Sequence, residues 1–130
     1  MILDSSAVVA MLIEEEGYRR LAETMESVPV VGIGAPTLVE TDMVMLGRFD
    51  LPGGGLVAQF LEKNHVVVVP FDEDHRTVAA EAFIRYGKGH HPAALNYGDC
   101  MTYATAYVAD HPLLFTGGDF AKTDLVPALQ

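Results

Sequence analysis

Met1-Ile2-Leu3-Asp4-Ser5-Ser6-Ala7-Val8-Val9-Ala10-Met11-Leu12-Ile13 opens the chain. Ile2 and Leu3 run into an acid, two hydroxyl residues follow, and apolar side chains then recur at Val8, Val9, Leu12 and Ile13. A short apolar stretch ended by polar residues reads as a strand, and Ser5 or Ser6 can cap the helix that follows. The unit is therefore a strand leading straight into a helix, with Asp4 at the junction.

The alternation continues outward. Gly17 interrupts, and Tyr18 to Glu26 is expected as a second helix, with Glu15, Arg19 and Glu23 on a solvated face. Val28 to Ile33 is β-branched and reads as a buried strand. Pro36-Thr37 opens a helix through Met45 that stops near Gly47. Pro52 and Gly53 to Gly55 form a turn before a helix from Leu56 to Lys63. His65 to Val69 is the clearest buried strand, closed by Pro70. Asp72 to Tyr86 is expected as a helix with Val78, Ala79, Ala82 and Phe83 inward. Gly87 to Leu95 is a flexible loop, Tyr97 to Ala109 a helix and Pro112 to Phe115 a strand. Thr116-Gly117-Gly118-Asp119 is a turn, and Leu125 to Leu129 a last edge strand. Short apolar strands separated by helices predict an α/β fold with a parallel sheet between two helical layers, residues 1–130 forming one domain.

Composition bounds the function. The 130 residues are 50% hydrophobic and 20% charged, which excludes disorder. Eight Lys and Arg face eighteen Asp and Glu, a formal charge of −10 that excludes nucleic-acid binding through a broad basic face. Cys100 is the only cysteine, so no intrachain disulfide forms and a reducing, cytoplasmic setting is expected. The start lacks the basic and long apolar segments of a signal peptide, and no apolar run approaches the ~18 residues of a membrane span. Mean hydropathy is +0.23, in keeping with a tight core or with apolar surface covered by a partner or a second copy.

In a parallel sheet the site lies beyond the carboxyl ends of the strands. Asp4 follows the first strand, and Asp119 stands in the turn after Phe115. Glu40 and Asp99 fall in the first turns of helices that start on that same edge. Four carboxylates, spread over the whole chain, are thus expected to converge. They would repel one another unless cations lay between them. Hard oxygen donors select Mg²⁺ or Mn²⁺, and one or two such ions generate hydroxide and neutralise a phosphodiester. Each acid also has a purely structural reading. Thr37-Leu38-Val39-Glu40 fits a capping box, Asp99 complements a helix dipole with Asn96 as its cap, and Asp119 suits a turn. Asp4 is hardest to dismiss, because a charge after a buried central strand needs a partner and no basic residue precedes Arg19.

At these residues the chain resembles a known family. Met1 to Met11, with Asp4-Ser5-Ser6-Ala7, resembles the opening of PIN-domain ribonucleases, and Pro36-Thr37-Leu38-Val39-Glu40 resembles their second acidic motif. Arg85-Tyr86-Gly87-Lys88-Gly89-His90-His91-Pro92-Ala93-Ala94-Leu95-Asn96-Tyr97-Gly98-Asp99-Cys100 is similar to one branch, the VapC toxins of VapBC toxin–antitoxin pairs. Leu114-Phe115-Thr116-Gly117-Gly118-Asp119-Phe120 resembles the fourth motif. The resemblance implies a PIN-like three-layer α/β/α fold with a five-stranded, mostly parallel sheet. It implies Mg²⁺- or Mn²⁺-dependent hydrolysis of RNA, leaving 5′-phosphate and 3′-hydroxyl ends. By motif match Asp4 and Asp99 are the main metal ligands, Asp119 serves a second metal or its waters, and Glu40 holds a metal-bound water or orients the nucleophile. Ser6 and Thr116 fall where the family places hydroxyl residues that line the site. A VapB-type antitoxin partner and a toxin homodimer are implied as well.

The remaining signals are weaker. Arg85, Lys88, His90 and His91 form the densest basic segment, read either as an RNA-backbone contact or as a solvated loop. His65, His75 and His111 lack ligand spacing and are expected to be structural, as is Cys100. Gly32-x-Gly34 and Gly53 to Gly55 lack the rest of a nucleotide-binding motif. Two other classes stand beside the nuclease: a receiver-like phospho-acceptor domain using Asp72 or Asp74, and a non-catalytic metal-binding interaction module.

Overall fold

The computed structural model describes residues 1–49 and 55–129. Of the turn expected at Pro52 to Gly55, all but Gly55 lies outside these residues. The order is β1 (Ile2–Leu3), α1 (Ser5–Leu12), α2 (Tyr18–Glu26), β2 (Gly32–Gly34), α3 (Ala35–Phe49), α4 (Gly55–Lys63), β3 (Val67–Val69), α5 (Glu73–Tyr86), α6 (Tyr97–Ala109) and β4 (Leu113–Leu114). A short 3₁₀ turn, Phe120–Lys122, follows.

All pairings are parallel and the strand order is β3-β2-β1-β4, so β1 is central and Asp4 leaves the middle of the sheet. Neighbouring strand residues point to opposite faces, and Ile2 and Leu3 accordingly belong to different cores. Ile2 packs with Ala79, Ala82, Tyr86, Leu95 and Tyr103 under α5 and α6. Leu3 packs with Val8, Leu21, Met25, Ile33 and Phe60 under α1, α2 and α4. The result is the expected α/β/α sandwich. Burying a Leu or Ile side chain stabilises by roughly 1.5–3 kcal/mol. Leu3, Ile33, Leu113 and Leu114, all fully buried, tie the short strands to both helical layers.

The sheet departs from expectation in three places. It has four strands, because Leu125 to Leu129 contributes only an isolated parallel bridge between Leu113 and Pro127. Pro127 has no amide hydrogen with which to extend a ladder. The strand expected over Val28 to Ile33 runs instead from Gly32 to Gly34, leaving Val30 58% exposed. The valine-rich third strand sits at the sheet edge, with Val67 54% and Val68 43% exposed. An apolar run reads alike at the centre and at an edge, and only the strand order separates the two.

Helix boundaries follow local chemistry closely. Asp72 caps α5 by accepting from the Asp74 amide at 3.0 Å, and its own amide donates to His75 Nδ1 at 3.1 Å. His75 is thus structural, as expected, and Asp72 is committed to a helix start. Phe83 is 42% exposed rather than inward. Gly34 lies against α6, where an added Cβ would collide with the Thr105 hydroxyl. That close approach brings α6 down onto β2 and sets the depth of the carboxylate edge.

Candidate active site

Asp4 is 5% exposed and is itself the N-cap of α1, a role expected of Ser5 or Ser6. Its Oδ2 accepts from the Ser6 amide at 3.1 Å and from the Ser6 hydroxyl at 2.6 Å. The Ser6 oxygen in turn accepts from the Thr116 amide at 3.1 Å. Ser6 therefore joins the end of β1 to the end of β4, and Thr116 takes part through its backbone.

Glu40 does not close the capping box expected with Thr37. Helix α3 begins earlier, at Ala35, so Glu40 lies beyond the first turn. The Thr37 hydroxyl instead pairs with that of Thr102 at 2.8 Å, fully buried between α3 and α6. The Glu40 Oε1 accepts from the Ser5 hydroxyl at 2.7 Å. Its other oxygen sits directly over Gly98, in the space a Cβ would fill. Glu40 is one turn on from Thr37, and Asp99 is one turn before Thr102. The hydroxyl pair therefore lies beneath both acids and sets the spacing of their helices.

Asn96 is the expected cap of α6, and Asp99 completes a capping box with it. Its Oδ2 accepts from the Asn96 amide at 3.0 Å, and Asn96 Oδ1 accepts from the Asp99 amide at 2.9 Å. Its carboxyl is nevertheless pushed up to about 6. Burial is the chief cause, the Asn96 amide opposes it, and the charges of Asp4, Asp119 and Glu40 raise it further. Asp119 is exposed and caps the 3₁₀ turn without a side-chain bond. The four acids thus come together electrostatically from four separate segments.

The donor chemistry fits a hard cation. Among the described residues no three acidic, histidine or cysteine side chains stand close enough to cage an ion alone. Mg²⁺ seldom uses such a cage; it keeps several waters and takes one or two carboxylates from the protein. An acid such as Asp99, whose proton affinity is raised by burial and by neighbouring carboxylates, is suited to an ion of that kind.

The basic segment is more ordered than the flexible loop expected. The Leu95 amide donates to the Tyr86 carbonyl at 2.9 Å, and the Lys88 amide to the Leu95 carbonyl at 3.0 Å. Arg85 lies over the Tyr86 ring at 4.7 Å and 3.6 Å from Asp124. His90 meets the edge of Phe83, and His91 the edge of Tyr86. Lys88 and His90 are exposed, and the charges that act most on Asp99 are all acidic.

Cys100 faces the core, 3% exposed, and burial together with the Asp99 charge pushes its thiol up to about 11. At pH 8 only about one molecule in 10³ carries the thiolate, the reactive form. Iodoacetamide at pH 8 is expected to leave the native protein unmodified and to alkylate it fully in guanidinium, as read by intact mass. Rapid native labelling would contradict the buried placement.

Sequence reasoning missed Ser5, Gly98 and the Thr37–Thr102 pair. Ser5 reads only as a candidate helix cap after Asp4. Nothing local marks Gly98 as the floor beneath Glu40.

The PIN domain family model matches residues 1–125. This chain belongs to the PIN-domain family. Within it, the chain groups with the VapC ribonucleases. "Ribonuclease VapC" of Mycolicibacterium smegmatis is 41% identical over 125 residues, 96% of this chain and 97% of that protein. "Ribonuclease VapC42" of Mycobacterium tuberculosis is 42% identical over 129 residues, 98% of each. Two solved structures share the fold of this PIN domain at low identity. The VapC20 toxin of Mycobacterium tuberculosis, described as cleaving the sarcin-ricin loop, has a TM-score of 0.74 at 19% identity, covering 96% of this chain and 95% of its own. A toxin–antitoxin complex from Klebsiella pneumoniae has a TM-score of 0.69 at 17% identity, covering 99% and 94%. No helix among the described residues of this PIN domain is long and apolar enough to cross a membrane.

Proposed function

We propose that this PIN domain is the endoribonuclease toxin of a toxin–antitoxin pair and hydrolyses RNA phosphodiesters with Mg²⁺ or Mn²⁺ held at the carboxylate edge. The observation that carries this reading is the raised proton affinity of Asp99, chiefly from burial and further from the facing charges of Asp4, Asp119 and Glu40. Asp4 and Asp99 would hold the ion, with Asp119 and Glu40 toward a second ion or its waters. A bound divalent ion supplies an activated water and offsets charge on the phosphodiester. The chain's own groups do the rest. Ser6 fixes the Asp4 rotamer, Ser5 fixes Glu40, and the Asn96 amide fixes Asp99. Half-buried carboxylates at the edge keep their orientation without reorganising when charge develops. Lys88 and His90 remain exposed and free to meet the RNA backbone, while Arg85 and His91 are already engaged by Tyr86.

The partner reading rests on two surfaces. A groove of about 660 Å³ between α1, α2 and α4 has Met11, Leu12, Met25 and Phe60 along it and Glu14 and Glu26 among its acids. An apolar segment of an antitoxin with basic flanks suits it. Val39, Met43 and Leu46 form an exposed stripe on α3, and Val67 and Val68 lie exposed on β3, which α3 contacts. A second copy of the toxin would cover that side. The cell interior is the setting that such a pair requires.

Purified protein is expected to cut structured RNA with Mg²⁺ or Mn²⁺, to stop in EDTA, and to resume when the ion is restored. Asp4→Asn is expected to lower the rate by at least ~10²-fold, the scale of losing one charge-stabilising group. Cleavage that survives EDTA would overturn the reading.

A further inference from the structure

Asp119 is the one site acid with no local support. It is exposed, makes no side-chain cap bond, and follows Gly117 and Gly118, the former at φ +84°. Glycines of this kind leave the backbone free to take many conformations. The segment is held downstream instead. Phe120 is buried against Phe115 at 5.5 Å. The Thr123 hydroxyl donates to the Phe120 carbonyl at 2.7 Å. Next along the chain, Asp124 Oδ1 accepts from the Tyr103 hydroxyl at 2.7 Å, and Asp124 Oδ2 lies 3.6 Å from Arg85.

Tyr103 lies one helical turn after Asp99 on α6, so the two share a face. One phenol therefore ties the limb that carries Asp119 to the helix that carries Asp99. The Tyr103 ring is held on both sides, 5.8 Å from Tyr86 and stacked 5.8 Å from Tyr107, so its hydroxyl is a fixed anchor. We propose that Tyr103 and Asp124 are positioning residues, a strap that sets the distance of Asp119 from Asp99. The inference rests on the proposed role of Asp119 in the site.

Five proteins test it: wild type, Tyr103→Phe, Asp119→Asn, the double variant of these two, and Asp124→Asn, compared by Mn²⁺ calorimetry, RNA cleavage and amide exchange of residues 120–122. Tyr103→Phe keeps the ring packing and removes only the hydroxyl. It is expected to weaken Mn²⁺ binding roughly 10-fold, the low end for losing a partner that orients a metal ligand, and to speed exchange at 120–122 in metal-free protein. The double variant is expected to bind Mn²⁺ no more weakly than Asp119→Asn alone. Asp124→Asn keeps an acceptor for Tyr103 and is expected to bind close to wild type. Independent, multiplicative losses in the double variant, or wild-type Mn²⁺ binding by Tyr103→Phe, would overturn the strap while leaving the nuclease reading intact. Wild-type binding and cleavage by Asp119→Asn would remove Asp119 from the site and the strap with it.

Discussion

Asp99→Asn is expected to abolish RNA cleavage, by at least ~10²-fold, while making the metal-free protein more stable at pH 8. The asparagine still accepts from the Asn96 amide, so the capping box of α6 survives. What disappears is a charge that burial and three acidic neighbours oppose, as its rise to about 6 records. The folded-state value lies above the ordinary 3.8, so the folded state binds the proton more tightly than the unfolded chain does. The associated stability is present below about 4, falls as pH rises through about 6, and is gone above it. A rise of that size corresponds to about 3 kcal/mol in a dry interior. Asp99 is partly open to solvent, which reduces the figure to ~1 kcal/mol. Thermal melts in EDTA should therefore show the variant several degrees above wild type at pH 8, with the gap closing near pH 4. Mg²⁺ should raise the melting temperature of wild type and leave that of the variant nearly unchanged. A variant less stable than wild type in EDTA at pH 8 would mean that Asp99 is a structural acid.

Gly98→Ala should separate activity from stability in a second way. An added Cβ would overlap the Glu40 carboxylate, the end of a flexible side chain. The protein can relieve the clash by turning Glu40 away from Ser5. Alanine is the better helix former, by up to ~1 kcal/mol in a helix interior, so the fold should tolerate the change with an equal or slightly higher melting temperature. Displacing a site carboxylate by about 1 Å costs on the order of 10²-fold in rate. Cleavage should fall by that order, and Glu40→Asp in the same chain should restore part of it by vacating the space. Full activity in Gly98→Ala would show that the position of Glu40 does not matter. A large drop in melting temperature would show that the contact is load on the fold rather than on the site.

Much of this was legible along the chain. Ile2 and Leu3 ending at Asp4, the Asn96 cap with Asp99 three residues on, and the α6 boundaries are all local features, and local rules read them correctly. The convergence of four acids followed from one topological rule, that parallel strands end where their helices begin. The motifs around Asp4, Glu40, Asp99 and Asp119 were enough to recognise a PIN-domain ribonuclease of the VapC branch. Errors fell where identity depends on what lies opposite. Val67 and Val68 read as core and stand at an edge, because nothing in an apolar run states how many neighbours its strand has. Thr37 and Glu40 read as partners in a capping box, yet each finds its partner elsewhere, in Thr102 and in Ser5.

The chain order alone therefore settles which segments are helices and where most strands fall, and that acids stand at their junctions, since propensity, capping and periodicity act within a few residues. Folding decides how deep those acids lie and what holds each one. Ser5 under Glu40, Gly98 against its carboxylate and Tyr103 beneath the Asp119 limb are contacts between residues distant in sequence. Hydrogen bonds and desolvation depend on distances of a few ångströms in space, which separation along the chain does not encode.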